Sequence, residues 1–565
     1  MESKLRNRNE FPKRMPVGVD DFAKMRREYY FVDKTGFLED FIENHAEVTL
    51  FTRPRRFGKT LTLSMMYYFF SLQQKTESAE LFQGLEIEKN LEKYSSLRGT
   101  YPVVFFSLKD CKYDTWAMCY EGIKDKIAEI YDSFHGLEES EKLTARERDL
   151  FLQILSGTAS EGKYMQSLQL LLRLLEKQYG RKAILLLDEY DVPIQQSWEH
   201  GYYKECISFM RNFLSAALKT NPSLEFAALT GVLRIAKESI FSSLNNLFVD
   251  SVLQGNYPDA FGFTEQEVAA LAAELGAEAK LMEIRAWYDG YRFGGHEIYN
   301  PWSVINYFFY QQKPGAYWVN TSGNSIVAEL LHRTDAEQQR RLLELLQGND
   351  VVVNLREGVI YPDIYTDQDA LYTMLVITGY LKIVQERFTL NGYLCSLAIP
   401  NLEIRSIYSY EVMDKLRGGV GISDLMILME NLLNGQTQAF SEGLQRYLAE
   451  LVSVYDAANK ESFYHGFLLG MTALLVPTYQ VKSNRESGYG RFDLAIFPKK
   501  RGDTGVILEF KIAEKAEMLE SKASEALQQI QQMEYVSEFR ELGVEKVLRY
   551  GIAFCGKRMV LKEGT

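Results

Sequence analysis

The 565-residue chain has few of the residues that build metal cages or covalent staples. Its five cysteines, Cys111, Cys119, Cys206, Cys395 and Cys555, show no C-x-x-C spacing, and only six histidines are present to join them. That scatter supports neither a disulfide framework nor a zinc site. Long apolar runs are missing too: nothing approaches the ~18 uninterrupted apolar residues of a membrane-spanning helix. The opening MESKLRNRNEFPKRMP is basic but lacks the apolar stretch of a signal peptide. A cytoplasmic protein without a membrane partner is the expectation. Positive charge is also short, with 64 Lys and Arg against 76 Asp and Glu, a net charge of -12. Polyanion affinity comes largely from clustered Lys and Arg, so the charge argues against a general polyanion binder and any such contact must be a local patch.

What is present is an ordinary globular composition, 46% apolar and 25% charged, on a chain long enough for three or four domains. Near its start, Glu47 to Phe70 reads EVTLFTRPRRFGKTLTLSMMYYFF. A β-prone run, a basic loop and an apolar helical face (Leu61, Leu63, Met65, Met66, Phe69, Phe70) follow one another, the setting of a phosphate-binding P-loop, G-x-x-x-x-G-K-[ST]. Arg53 stands at the first glycine position, where Pro54 makes the turn another way by fixing φ. Gly58, just before the lysine, is kept. On this reading Arg55, Arg56 and Phe57 complete the nucleotide-contacting loop, Lys59 reaches the β- and γ-phosphates of ATP, and Thr60 ligates Mg²⁺. A basic strand-to-helix turn that binds nothing is the bland alternative.

A second signal lies in RKAILLLDEYDVPI, where an apolar run from Ala183 to Leu187 ends in Asp188 and Glu189. A buried parallel strand with carboxylates at its C-terminal edge is the Walker B arrangement. Asp188 would hold Mg²⁺ through water and Glu189 would polarise the attacking water. A further run, SLEFAALTGVLR, ends at Thr230, which is either a hydroxyl that reads the γ-phosphate or a turn residue, with Arg234 either in reach of the same region or on the surface. With the run from Tyr101 to Asp110, these segments predict an α/β P-loop sandwich with a parallel sheet over residues 1–263.

Residues 264–346 look mostly helical, a small ATPase lid, with the aromatic WYDGYRF (Trp287 to Phe293) expected in the core rather than as a base-stacking platform. Residues 347–455 read as a winged-helix-like connector or a spacer, with a hairpin turning at Asn391-Gly392 and a helix after Pro400.

The region from 456 to the end carries a second chemistry. Two β-like runs, Arg491 to Phe497 and Gly505 to Ile512, meet at a turn containing Gly502 and Asp503. Period-two alternation puts Glu509 and Lys511 on one face, and hairpin pairing brings Asp493 beside them. Two carboxylates that hold Mg²⁺ and an ammonium that orients water or offsets transition-state charge suit phosphodiester cleavage. From Gln480 to Lys515 there are eight Lys or Arg and five Asp or Glu, a local +3. That suffices for contact with a DNA backbone and not for sequence readout. An alternating-charge strand is the alternative, and His465 is not expected to be catalytic.

Taken together, YYFVDKTGFLEDFI, RPRRFGKT, LLLDEYDVPI, LTGVLRIAKESIFSSLNN and WYDGYRFGGHEIYNPWSVINYF resemble the bacterial AAA-ATPase-like family, from about Phe11 to the end. Members often carry a C-terminal domain of the PD-(D/E)XK nuclease superfamily, whose D-x(n)-E-x-K pattern is similar to Asp493, Glu509 and Lys511 here. In that family an arginine at the first P-loop glycine position is usual. The resemblance implies a helix acid at Glu461, a further metal ligand, with Gln529 and Tyr535 as a supporting pair on the following helix, in an α/β restriction-endonuclease-like domain. It implies ATP, Mg²⁺ and DNA as ligands and leaves oligomerisation open. An ATPase that gates a Mg²⁺-dependent endonuclease is the expected function. The alternative is a nucleotide-binding regulatory switch whose C-terminal domain only binds nucleic acid or protein.

Overall fold

The computed structural model describes residues 14–233, 245–318, 341–408, 422–451 and 464–564, with short interruptions in the third and fifth of these runs. The chain forms two compact units, residues 1–321 with 352–402, and residues 322–351 with 403–565.

The first unit is built on five parallel strands, β1 (Val48–Thr52), β2 (Val103–Ser107), β3 (Ala183–Asp188), β4 (Leu224–Gly231) and β5 (Leu247–Asp250), in the order β2-β3-β4-β1-β5. Every residue of β1 and β3 is buried, as strands covered by helices on both faces require. Helix Lys59–Phe70 buries Leu63, Met65, Met66, Phe69 and Phe70. Helix Ser167–Tyr179 buries a leucine face and stops at Gly180, whose φ of 68° makes the left-handed cap. Because β4 lies between β1 and β3, the C-terminal ends of all three strands converge on one edge of the sheet.

Beyond that sheet, helix Glu265–Glu274 starts with a reciprocal Thr264/Glu267 capping box, and helix Leu281–Tyr288 precedes a hairpin of β6 (Tyr291–Phe293) and β7 (His296–Ile298). This hairpin breaks the mostly helical pattern expected for 264–346. Its cause is local: Gly294 and Gly295, at φ 52° and 92°, make a two-residue turn in which both central residues are left-handed. Tyr288, Tyr291 and Phe293 are buried, so the aromatic run is core. Helix Pro301–Phe309 follows, with Asn300 capping it through Trp302 and Ser303 N–H groups. A three-stranded sheet, β8 (Val351–Leu355), β9 (Lys382–Thr389) and β10 (Gly392–Ala398), has the order β8-β10-β9, with helix Gln368–Ile377 between β8 and β9 in the chain. The β9 to β10 turn falls where expected, Asn391 itself lying outside the described residues.

The second unit holds a mixed sheet of β11 (Tyr479–Ser487), β12 (Gly490–Pro498), β13 (Gly505–Ile512), β14 (Val547–Cys555) and β15 (Arg558–Gly564). β13 and β14 are parallel and the other neighbours antiparallel. Leu494, Ile496, Val506, Leu508 and Phe510 face helices Ile422–Leu433 and Thr437–Leu451 together with Tyr464, Leu468 and Met471. Phe492, Ala495, Phe497 and Ile507 face the other way, against Ile530 of helix Leu519–Gln532 and Phe539. No described helix is long and apolar enough to cross a membrane.

Candidate functional site

The loop between β1 and its helix makes two left-handed steps, Arg56 at φ 69° and Gly58 at φ 87°. No heavy atom lies within 4 Å of where a Gly58 Cβ would stand, so the space beside it is open, and glycine removes the strain of that φ. Lys59 is buried and donates to the carbonyls of Arg53 and Pro54, both at 3.0 Å. Burial pushes its pKa down, and Glu189, Asp191 and Asp188 oppose that shift. Arg55 bonds Gln195 Oε1 at 2.8 Å, and its carbonyl accepts from Trp318 Nε1 at 3.0 Å. The exposed Arg56 lays its guanidinium 4.2 Å over the Trp302 ring. Phe57 is buried between Tyr291 and Phe293, a packing role.

Asp188, at the end of β3, is the hub of the opposing wall. Its Oδ2 accepts from Thr60 Oγ1 at 2.9 Å and Ser107 Oγ at 3.2 Å, and its Oδ1 accepts from Thr230 Oγ1 at 2.6 Å. Burial raises the Asp188 pKa, and the Thr230 bond counters it first. The Thr230 hydroxyl also accepts from the Glu189 N–H at 3.2 Å, while Glu189 sits at φ 49°, off the strand. Thr60 and Asp188 thus form a pair of hard oxygen donors beside a cationic loop, a set that fits Mg²⁺, an ion that keeps several waters.

In the second unit, the β12–β13 register pairs Leu494 with Leu508, which sets Asp493 across from Glu509. Glu509 Oε2 accepts from the Asp493 N–H at 3.4 Å, Asp493 Oδ2 accepts from the Phe510 N–H at 2.7 Å, and Lys511 Nζ lies 3.5 Å from Glu509 Oε1. Glu509 is 1% exposed, and its pKa is raised to about 8, first by burial and then by the Asp493 charge, with Lys511 only partly offsetting them. Two carboxylates that disfavour each other's charge are a donor set that a divalent cation would relieve. Among the described residues no group of three or more His, Cys, Asp and Glu forms a fuller metal cage.

The structure therefore brings Lys59, Thr60, Asp188 and Thr230 together at one sheet edge, and Asp493, Glu509 and Lys511 together where the pairing of β12 with β13 ends. Gln529 is half-buried on helix Leu519–Gln532, which packs on the face carrying Glu509 and Lys511. Arg234, Glu461, His465 and Tyr535 lie outside the described residues. Three residues were missed by sequence reasoning. Ser107 ends β2 and shares Asp188; Asp191 accepts from the Val232 and Leu233 N–H groups at 2.8 and 2.9 Å; Asp250 ends β5 and pairs with Arg53 at 2.6 Å. Each closes or follows a parallel strand, and that position was the available signal.

Residues 16–241 match the family described as predicted AAA-ATPase, and residues 459–564 match the PD-(D/E)XK nuclease superfamily. The chain thus carries an AAA-ATPase-like domain followed by a domain of the PD-(D/E)XK nuclease superfamily. It is also similar to the "Uncharacterized protein in vnfD 5'region" of Azotobacter chroococcum mcd 1, 27% identical over 558 residues that span 96% of each chain.

Proposed function

We propose that this chain hydrolyses ATP and uses its nucleotide state to control a Mg²⁺-dependent DNA endonuclease in its C-terminal domain. The observation that carries the reading is the buried Glu509, held against Asp493 with Lys511 beside it, in a domain of nuclease ancestry. Asp493 and Glu509 would hold the cation, as Thr60 and Asp188 would in the first unit. When bound, Mg²⁺ supplies positive charge to the oxygens of the phosphate under attack. Lys511 offsets charge that develops on that phosphate. In the first unit Lys59 binds the β- and γ-phosphates of ATP, Asp188 is oriented by Thr230 and Ser107, and Glu189 directs the attacking water. Residues 264–346 act as a lid and 347–455 as the connector that transmits the nucleotide state.

The test is turnover by the purified full chain. ATP hydrolysis and plasmid or branched-DNA cleavage are measured with and without Mg²⁺, each in the presence and absence of the other substrate. Metal-dependent cleavage whose rate changes with ATP supports the proposal. ATP binding without turnover or cleavage would replace it with a nucleotide-binding switch.

A further inference from the structure

We propose that Asp250 is a positioning residue of the nucleotide loop, and that its buried ion pair with Arg53 fixes the exit of β1 from which the loop starts. The inference rests on the ATP-binding reading above. Arg53 and Asp250 side chains are both fully buried, 2.6 Å apart. The guanidinium also donates to the carbonyls of Thr52 at 3.0 Å, Asp250 at 2.8 Å and Tyr257 at 3.4 Å, and it lies 5.2 and 4.9 Å from the rings of Phe261 and Phe293. The second Asp250 oxygen accepts from the Asn256 N–H at 2.8 Å. One arginine thereby ties the exit of β1 to the end of β5 and to the chain that follows it.

The tie bears on the loop through the backbone. The Arg53 N–H bonds Gly231 O at 3.2 Å, and the Arg53 carbonyl is one of the two that Lys59 grips. A displaced Arg53 therefore displaces both the exit of β1 and the ammonium meant for phosphate. The left-handed residues of the loop are 56 and 58, not 53, so a side chain at 53 costs no backbone strain and glycine there would be equally well accommodated. Removing one partner leaves a lone buried charge, whereas removing both takes that charge away and leaves only the lost carbonyl bonds and the vacated space.

The experiment uses the full chain with Arg53→Gly, Asp250→Asn and the double variant. It reads affinity for a fluorescent ATP analogue with Mg²⁺, the melting midpoint, and hydrogen exchange of the loop amides from 55 to 60. Each single variant is expected to weaken ATP binding by about tenfold or more and to speed loop exchange, with the double variant returning both toward wild type. Arg53→Lys keeps the charge but not the planar fork, and supplies an intermediate loss should a single variant fail to fold. Single variants that lower the melting midpoint yet bind ATP and exchange like wild type would make the pair a fold-stabilising contact only and overturn the proposal. So would a double variant as impaired as the singles. If wild type itself binds no ATP, the functional reading falls, and the exchange measurements alone decide the positioning role.

Discussion

The two candidate centres each set a buried carboxylate on a sheet strand, yet they surround it in opposite ways. Asp188 is met by three neutral hydroxyls, Thr60, Ser107 and Thr230. Glu509 is met by a second carboxylate, one long bond to a peptide N–H, and a lysine at 3.5 Å. Burial raises the Asp188 pKa, and the Thr230 and Thr60 hydroxyls oppose that shift without cancelling it. Around Glu509 the donors are fewer and a like charge adds to burial, and on the proposed reading a bound cation would supply the compensation. Hydroxyl donors fix how a carboxylate is oriented toward a ligand; a like charge beside one makes a place where a cation would supply the missing charge.

The strongest way to break this comparison is to delete one carboxylate of the second centre. Asp493→Ala or Glu509→Ala is expected to lose Mg²⁺ binding and DNA cleavage together, by about 10³ or more in rate, with ATP binding unchanged. Undiminished metal-dependent cleavage in Asp493→Ala would make both acids structural. Lys511→Ala is expected to keep metal affinity and lose about 10² to 10³ in cleavage rate, because the ammonium acts on transition-state charge. In the first centre, Lys59→Ala should reduce ATP affinity by about 10² as measured by titration, since it removes the point charge on the phosphates. Glu189→Gln should leave that affinity in place and slow hydrolysis.

The comparison is sharpened by pH. The folded-state pKa of Glu509, about 8, lies above the ordinary carboxylate value, so between the two the folded protein binds more protons than the unfolded one. Stability of the second unit should then fall as pH rises from about 5 to 8, and saturating Mg²⁺ should flatten that slope in thermal melts. Over the same window Mg²⁺ affinity should tighten with pH by up to about tenfold per unit, with proton release measurable by calorimetry. Flat affinity between pH 6 and 8 would remove Glu509 from the ligand set. The smallest effect belongs to the hydroxyl wall: Thr230→Val should cost about 1 to 3 kcal/mol by leaving a buried Asp188 oxygen and the Glu189 N–H short of a partner, read in denaturant unfolding.

Much of both centres was legible in one dimension, because chemistry concentrated at strand ends obeys short-range rules. The apolar run into Asp188 and the loop-to-helix transition at Lys59 are local, and so is the alternation that sets Glu509 and Lys511 on one face. The hairpin at Gly294-Gly295 was also local and was overlooked, since helical periodicity on either side outweighed a two-glycine turn. Thr230 shows the limit. Its place at the end of an apolar strand was readable, but whether its hydroxyl met solvent, phosphate or Asp188 depended on which strand lay beside β3.

By itself the sequence determined the strands that carry the two centres, the loop with Gly58 and Lys59, the Asp-x(15)-Glu-x-Lys spacing and the scarcity of metal-binding cysteine and histidine. These follow from backbone preferences and from apolar periodicity, which act over a few residues. Only tertiary structure decided that β4 would separate β1 from β3, that Arg53 would turn inward to an aspartate 197 residues away, and that burial, with the Asp493 charge, would lift the pKa of Glu509. Ion pairing and pKa depend on distance and burial in space, and neither quantity is written in the order of the residues.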